Sequence, residues 1–391
     1  MDFVRTEVKR LENLGCIVKV ENRPRCVLPL SSVFSKKKRL VVDGSRCLNP
    51  YLKHRRVRLQ DLRDIPDLIK PGFWMMTEDL DSGYWHIKVK PEHRTFLGIH
   101  IIEEDGSVSF YVWKVMFLGV SDAVFIFSAV LKPLKVYLQS MGIPNAIYID
   151  DHLTIGASEA SCRANNVIAK EVFKNAGFVV SPDKTRGPAT RILYLGLEVC
   201  SIERKFFIPE KKLTRLLGAL DSLLNQRLVS VRKLASGVGL LQSCALALGP
   251  VVRLMTRRLY SFIAEMEMKF SWDHFVTLSE DCLEEIQFWI SNLLQLNGFP
   301  FSSKLSMIDI DFEVVTDSSS LGCFGYQLKT SYEVLYRRMF TQAEKKLSST
   351  HREFIALKDI YLSPAAERFS GKTVRHLTDN QTLPRIMLVG S

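Results

Sequence analysis

Cysteine is sparse in this sequence of 391 residues. The eight cysteines stand at 16, 26, 47, 162, 200, 244, 282 and 323, and no two form a C-x-x-C pair. This spacing excludes a dense disulfide scaffold and a zinc module built on paired cysteines; reduced thiols in an intracellular protein are expected. Low-complexity runs and internal repeats are absent from the sequence. The opening MDFVRTEVKR lacks the apolar core of a signal peptide. The most apolar stretch, Val115 to Leu131, is interrupted by Gly119, Ser121 and Asp122. It reads as buried core rather than a membrane span, so a soluble chain without a membrane partner is expected. Histidine is also scarce, and no H-x-x-x-H spacing marks a metal pair. His86, His100, His152, His274 and His376 therefore read as core or surface residues.

What is present is globular. Hydrophobic residues make up 47% and charged residues 24%, which excludes wholesale disorder, and the length suggests roughly two to three domains. Net charge is +11 and unevenly spread. Residues 1–70 hold 17 Lys/Arg against 8 Asp/Glu, and residues 201–260 hold 11 against 3. Basic segments flanking more acidic ones suit a polyanion partner with carboxylates at its reacting centre. Two solvated basic surfaces fit the charge equally well.

Periodicity places the elements. VRTEVKRLENLG has helical spacing and stops at Gly15. CIVKV is a strand, and CVLPLSSVFSKKKRLVVD is a basic hairpin. Residues 73–115 read as short strands: FWMMTEDLD, WHIKVK, FLGIHI and SVSFYVWKV. A helix spans about 121–140. AIYIDDHLTIG is two strands around a tight turn, SEASCRANNVIAKEVFKNAG an amphipathic helix, and ILYLGLEV a strand pair bent at Gly196. From Pro209 the texture is helical: KKLTRLLGALDSLLN, SVRKLASGVGLLQSCALA, GPVVRLMTRRLYSFIAEM and residues 278–296. Strands return at FEVVTDSSSLGCFGYQL. Boundaries are expected near 205, 268 and 308.

Asp79 ends an apolar strand, and Asp150 and Asp151 sit in an apolar-flanked turn. A lone D-D is simply a good turn dipeptide. Here a second carboxylate motif lies upstream, and carboxylates at strand ends can converge on one sheet edge. Such hard oxygen ligands suit two Mg²⁺ ions, with Mn²⁺ as a substitute.

Tyr148-Ile149-Asp150-Asp151 resembles the Y-x-D-D box of reverse transcriptases. Asp79-Leu80-Asp81-Ser82-Gly83-Tyr84 through Ile87 resembles their D-L-x-S-G-Y-x-x-I motif. Lys38-Arg39-Leu40-Val41-Val42-Asp43, then Arg46-Cys47-Leu48-Asn49, resembles the fingers pattern, with one extra residue before the second arginine. Phe117-Leu118-Gly119 to Ala123 and Phe127 resembles P-F-G-L-x-x-A-P-x-x-F, with Met116 and Val124 in place of the prolines and Leu118 displacing the glycine. Gly177-Phe178 with Lys184, and Tyr194-Leu195-Gly196, resemble the G-f-x-x-x-x-x-K segment and the primer-grip hairpin. The six motifs run in one order over about 36–200.

The resemblance implies roles. Asp79 and Asp150 would bind both metals, supported by Asp151. Arg39 and one of Lys36 to Lys38 would hold the incoming triphosphate, a task suited to a guanidinium fork; Lys38 is the lysine nearest it. Tyr84 would be the steric gate against a 2′-hydroxyl, or else a packed core tyrosine. Lys184 would protonate the leaving pyrophosphate, Gly119 would support nucleotide and template, and Tyr194, Leu195 and Gly196 would grip the primer. The segment 205–268 would be a thumb, with Arg232, Lys233, Arg253, Arg257 and Arg258 contacting phosphates; a basic helical bundle with solvated arginines is the other reading.

A second constellation lies downstream. Phe312 to Ser319 is a strand ending in Asp317, Ser348-Ser349-Thr350-His351-Arg352-Glu353 opens a helix, and Val374 to Asn380 is a strand ending at Asp379. This resembles the D-S-S, S-x-x-R-E and T-D-N order of ribonuclease H, with Asp317, Glu353 and Asp379 as metal ligands and no fourth acidic helix before Ser391. LASGVGLLQS, ALGPVVRLMTRRL and FWISNLLQLNG further resemble the region after the polymerase in DIRS-like and Ngaro-like retrotransposons.

The expectation is therefore an α+β right-hand polymerase. Fingers and palm would span 1–204, a helical thumb 205–268, a connection 269–308, and a C-terminally incomplete ribonuclease-H-like α/β domain 309–391. It would copy a primed RNA or DNA template with deoxynucleoside triphosphates and engage an RNA–DNA hybrid, as a piece of a retroelement polyprotein. Two rivals remain: a catalytically silent nucleic-acid binder and a hybrid-cutting nuclease alone.

Overall fold

The structure, a computed structural model, describes residues 2–34, 38–53, 55–226, 228–301, 311–328, 332–370, 372 and 374–384. Lys36, Lys37 and the boundary expected near 308 lie outside the described residues. Two compact units form: Met1–Asn225 with Ser243–Gly249 and Ile290–Phe301, and Gln226–Gln242 with Pro250–Trp289 and Ser302–Ser391.

The first unit opens with α1 (Asp2–Asn13), which turns Val8 and Leu11 inward and ends where Gly15 takes φ +71°. Strand β1 (Ile17–Val20) follows, and then the hairpin of β2 (Leu30–Phe34) and β3 (Lys38–Val42). Next come β4 (Trp74–Asp79), β5 (Gly98–Ile102) and β6 (Val108–Trp113). Sheet β1-β6-β5 shares one core with α1, in which Ile17, Ile99, Tyr111 and Trp113 are buried.

WHIKVK, expected as a strand, is not one. Gly83–His86 is a 3-10 turn, and Lys88 alone keeps a bridge, to Val115. The cause is local. Ser82 enters the turn at φ +50°, and Gly83 lies so close to the Phe127 ring that a Cβ has no room.

Then come α2 (Ala123–Ser140), β7 (Asn145–Tyr148), β8 (Asp151–Gly156), α3 (Glu159–Asn175) and β9 (Arg186–Ala189). They build the antiparallel sheet β7-β8-β4-β9. The interiors of β4 and β8 are buried without alternation, as expected of central strands covered on both faces. Helix α3 starts at a Ser158–Ser161 capping box and buries Cys162, Asn166, Ala169 and Phe173. Among the described helices, α2 is long and apolar enough by length and composition to cross a membrane. Here Phe127, Leu131 and Leu138 are buried in the same core as Phe173 and Phe178.

The chain continues through β10 (Arg191–Tyr194), β11 (Leu197–Cys200), β12 (Lys205–Phe207), α4 (Glu210–Gln226), β13 (Leu228–Ser230), α5 (Val231–Gln242), α6 (Ala245–Leu248), α7 (Val251–Leu254), α8 (Arg257–Lys269), β14 (Phe275–Thr277), α9 (Glu280–Leu296) and β15 (Phe299–Pro300). Strand β12 pairs with β11 and β15 in one sheet, and β13 with β14 in another. GPVVRLMTRRLYSFIAEM, expected as one helix, is broken between α7 and α8. There the Thr256 hydroxyl donates to Val252 O at 2.6 Å, and the Trp289 indole donates to Met255 O at 2.6 Å.

The C-terminal sheet is β18-β17-β16-β19, built from β16 (Phe312–Ser318), β17 (Gly322–Leu328), β18 (Tyr332–Met339) and β19 (Val374–Leu377). Strands β16 and β19 are parallel, and the others antiparallel. A short α10 (Gln342–Lys345) and α11 (Ser349–Leu362) precede β19, and α11 packs against β16 and β17.

Gly156 ends β8 where the backbone of Cys162 leaves no space for a Cβ. Gly156→Ala is expected to lower stability by about 1–3 kcal/mol by overpacking this strand–helix contact, measured by urea denaturation.

Candidate active site

Asp79 and Asp151 are direct cross-strand partners at the open ends of β4 and β8. Asp150 occupies the turn before β8, following Ile149 at φ +54°. The Leu80 amide donates to Asp150 O at 2.9 Å and ties the turn to the end of β4. All three aspartates thus meet at one sheet edge, as their motifs implied. Lys184, in a 3-10 turn after α3, reaches the same edge and donates to Asp79 Oδ2 at 2.6 Å.

The carboxylates are crowded and partly dehydrated. Asp151 is pushed up to about 6, first by burial and then by the charges of Asp150 and Asp79; Lys184 opposes. Burial, with the charge of Asp79, also raises Asp150. The hydrogen bond to Asp79 raises Lys184 in turn. A cluster of hard oxygens with uncompensated negative charge fits a divalent cation.

Two cavities flank this edge. One, of about 300 Å³, is lined by Asp79, Asp150, Tyr84, Leu40, Val42 and Lys184 among others. Tyr84 stacks on Phe127, with centroids 4.7 Å apart, and its hydroxyl is buried without a partner. It is therefore both a cleft wall and a core ring. Lys38 and Arg39 lie exposed on β3, which gives the cleft Leu40 and Val42 rather than these cations. The other cavity, of about 280 Å³, joins Asp79 and Asp151 to Leu193, Tyr194, Leu195 and Gly196. Leu195 and Gly196 both take positive φ, +47° and +81°, the two-residue turn that matches hairpin twist. The Tyr194 hydroxyl sits 3.5 Å from Asp151 O.

Gly119 has φ +124° and faces the Val42 carbonyl so closely that a side chain has no room. The Asn49 amide bridges this loop, donating to Gly119 O at 3.0 Å and accepting from Ser121 N at 2.9 Å. Asn49 was legible only as a motif letter; its role appears when the two loops meet. A groove of about 490 Å³ was missed altogether. Its cations come from Arg56, Arg58, Lys132 and Lys135, with Phe125 in its wall and the Arg55 guanidinium 5.1 Å from that ring. Two separated sequence segments supply the charges, so no local run announced them.

In the helical segment, Arg232 pairs with Asp273 at 2.7 Å, and Arg258 with Asp281 at 2.9 Å and Glu284 at 3.0 Å. Lys233 donates to Gln226, while Arg253 and Arg257 are exposed. Exposed pairs of this kind are weak and exchange readily for other anions.

The second constellation also assembles. Asp317, Glu353 and Asp379 each place a carboxylate oxygen within 4.8 Å of the others. Parallel pairing of Val315 with Leu377 sets both aspartates two residues beyond the same rung. Glu353 accepts from Ser318 N at 2.9 Å and from Ser318 Oγ at 2.7 Å, while its Oε2 is buried without a partner. Burial raises its pKa, and Asp317 and Asp379 add to the shift. The unpartnered oxygen inside a carboxylate trio fits a divalent cation. His351 instead sits 2.8 Å from Ser348 Oγ at the start of α11.

Carboxylates at the tip of two antiparallel strands thus stand between a cleft of about 300 Å³ and a hairpin. In comparison with known proteins, residues 29–199 match the family model "Reverse transcriptase (RNA-dependent DNA polymerase)". Solved structures of the foamy viral protease-reverse transcriptase share the fold. The complex with RNA/DNA hybrid gives a TM-score of 0.65 at 15% identity, covering 100% of this chain and 50% of that one. A complex with double-stranded DNA gives 0.62 at 14%, covering 99% and 64%. The chain thus spans about half to two thirds of those proteins. No curated protein sequence matches it.

Because Asp151 has a raised pKa when folded, its charge costs stability as pH rises from about 4 through about 6. In metal-free protein at pH 7.5, Asp151→Asn is expected to stabilise the fold by roughly 1 kcal/mol after allowance for solvent screening. The gain should vanish below pH 4, where the carboxyl is protonated in both states. Thermal denaturation at the two pH values checks this.

Proposed function

We propose that this chain is an RNA-directed DNA polymerase of a retrotransposon, one resembling the tyrosine-recombinase elements, and that it works inside the cell. The observation that carries the reading is the in-register pairing of Asp79 with Asp151, with Asp150 on the adjoining turn, at the mouth of the cleft walled by Tyr84. Asp79 and Asp150 would hold two Mg²⁺ ions, or Mn²⁺, with Asp151 in support. When bound, the metals supply Lewis-acid activation of the primer 3′-hydroxyl and neutralise the pyrophosphate.

The chain's own residues do the remainder. Lys184 already carries a proton at Nζ beside Asp79 and can donate it to the leaving group. The Tyr84 ring underlies the sugar and excludes a 2′-hydroxyl. The Tyr194–Gly196 hairpin holds the primer end on the side of Asp151. Arg56, Arg58, Lys132 and Lys135 give a single template strand a cationic path, with Phe125 offering an aromatic face. Lys38 and Arg39, exposed on the fingers hairpin, would close on the triphosphate. Arg232, Lys233, Arg253, Arg257 and Arg258 would meet duplex phosphates.

A second reading concerns the C-terminal unit. The trio of Asp317, Glu353 and Asp379, with its unpartnered Glu353 oxygen, supports residual cutting of an RNA–DNA hybrid.

Primer extension on an RNA template, with deoxynucleotides and Mg²⁺, tests the main reading. Wild type should extend, Asp150→Asn should lose at least a thousandfold, and Asp317→Asn should extend normally while losing any hybrid cutting. Tight, salt-sensitive hybrid binding without extension would instead establish a silent binder. In the same assay, Tyr84→Val should raise ribonucleotide use relative to deoxynucleotide by roughly 10- to 100-fold.

A further inference from the structure

Behind the three aspartates lies a polar network that the reaction does not call for. Glu78 precedes Asp79 on β4, and His152 follows Asp151 on β8. The two are cross-strand partners, and both side chains are fully buried. Successive strand residues face opposite sides, so this pair points away from the cleft edge and towards α3. Glu78 Oε2 lies 3.3 Å from His152 Nδ1. Glu78 Oε1 accepts from the Asn166 amide and meets Lys170 Nζ at 3.4 Å. Lys170 also donates to Thr185 Oγ1 at 3.4 Å, and that hydroxyl returns to Ser181 O at 3.4 Å. The His152 ring stands edge-on to Phe173 with centroids 4.9 Å apart.

Three members border a working residue: Glu78 borders Asp79, His152 borders Asp151, and Thr185 borders Lys184. One connected set of hydrogen bonds therefore reaches the backbone of two carboxylates and the ammonium at once. Stability does not demand it. Met75, Leu153 and Ile155 are buried in the same strands, beside the buried Thr77 and Thr154, and exchanging a buried ion pair for apolar residues of similar volume is often neutral or stabilising. Apolar packing supplies energy but little direction, whereas hydrogen bonds to a carboxylate fix angle as well as distance.

We propose that Glu78, His152, Asn166, Lys170 and Thr185 form a positioning clasp that sets the mutual geometry of Asp79, Asp151 and Lys184 from behind. These are positioning residues. Their side chains lie behind the carboxylates, with Glu78 also bordering the cavity on the Tyr194–Gly196 side, and they act on the placement of groups that would bind a divalent cation. The inference rests on the polymerase reading of the same site. It adds that register-locking polar contacts, and not the aspartates alone, determine how tightly a cation is held and how fast the bond forms.

The test uses the full chain with two substitution sets, Glu78→Leu with His152→Leu, and Glu78→Gln. Bound Mn²⁺ is titrated by electron paramagnetic resonance, alongside melting temperature, primer–template affinity and single-nucleotide extension. The double leucine variant, which leaves the Asn166 amide without its acceptor, should melt several degrees below wild type but remain folded at the assay temperature and bind primer–template equally. It should hold Mn²⁺ about tenfold more weakly and lose roughly 10- to 100-fold in kcat, with little change in KM for the nucleotide. Glu78→Gln, which keeps a hydrogen-bonding group, should recover part of both losses. Unchanged Mn²⁺ affinity and kcat would overturn the proposal, as would losses that merely follow the unfolded fraction. Should wild type fail to extend a primer, the polymerase reading falls while the Mn²⁺ titration still decides the clasp: tenfold weakening supports it, and equal binding refutes it. Should the leucine variant fail to fold, Glu78→Gln carries the same two outcomes.

Discussion

The antiparallel pairing of β4 with β8 is the constraint on which the rest of the first unit depends. A slip of one residue would set Asp79 opposite His152 or Glu78 opposite Asp151 and turn one of the two aspartates to the other face. Everything placed around that pair helps to keep the register. Buried methionine, leucine and isoleucine side chains occupy the strand interiors, α3 covers one face, and the Leu80 amide is fastened to the Asp150 carbonyl. The chemistry then needs no special loop, because the ends of two well-packed strands present the oxygens.

The same arrangement sets up an electrostatic imbalance. Three carboxylates share one edge with a single lysine ammonium beside them, and part of their surface is withdrawn from water. A protein that held this edge only for stability would do better with neutral residues. Packing elsewhere offsets the cost of this charge. The trio of Asp317, Glu353 and Asp379 repeats the motif on a different scaffold, with a parallel strand pair and a helix in place of a hairpin.

Much of this was legible in the sequence wherever the signal is local. Gly15 and Gly177 end helices, the apolar–Asp–Asp–apolar run is a hairpin, and Leu195-Gly196 is a turn; each follows from backbone chemistry within a few residues. The three aspartates and Lys184 were readable because motif order supplied the long-range information. WHIKVK failed because alternation suggested a strand, while Ser82 turns the chain at φ +50° and Gly83 lies against the Phe127 ring, distant in sequence. The broken helix at Thr256 failed for a related reason, since the Trp289 indole that holds the break lies 33 residues away in sequence. Asn49, the basic groove and the polar set behind the carboxylates were illegible because their meaning exists only across segments.

The single amide of Asn49 joins two loops whose glycines, Gly44 and Gly119, bring their backbones together without intervening side chains. Mechanically, this makes a riveted seam with no cushion on either side. The loop at Gly44 and the loop at Gly119 touch backbone to backbone, with no side chain between them to absorb a shift. Neither loop can therefore be repositioned by altering one side of the seam alone.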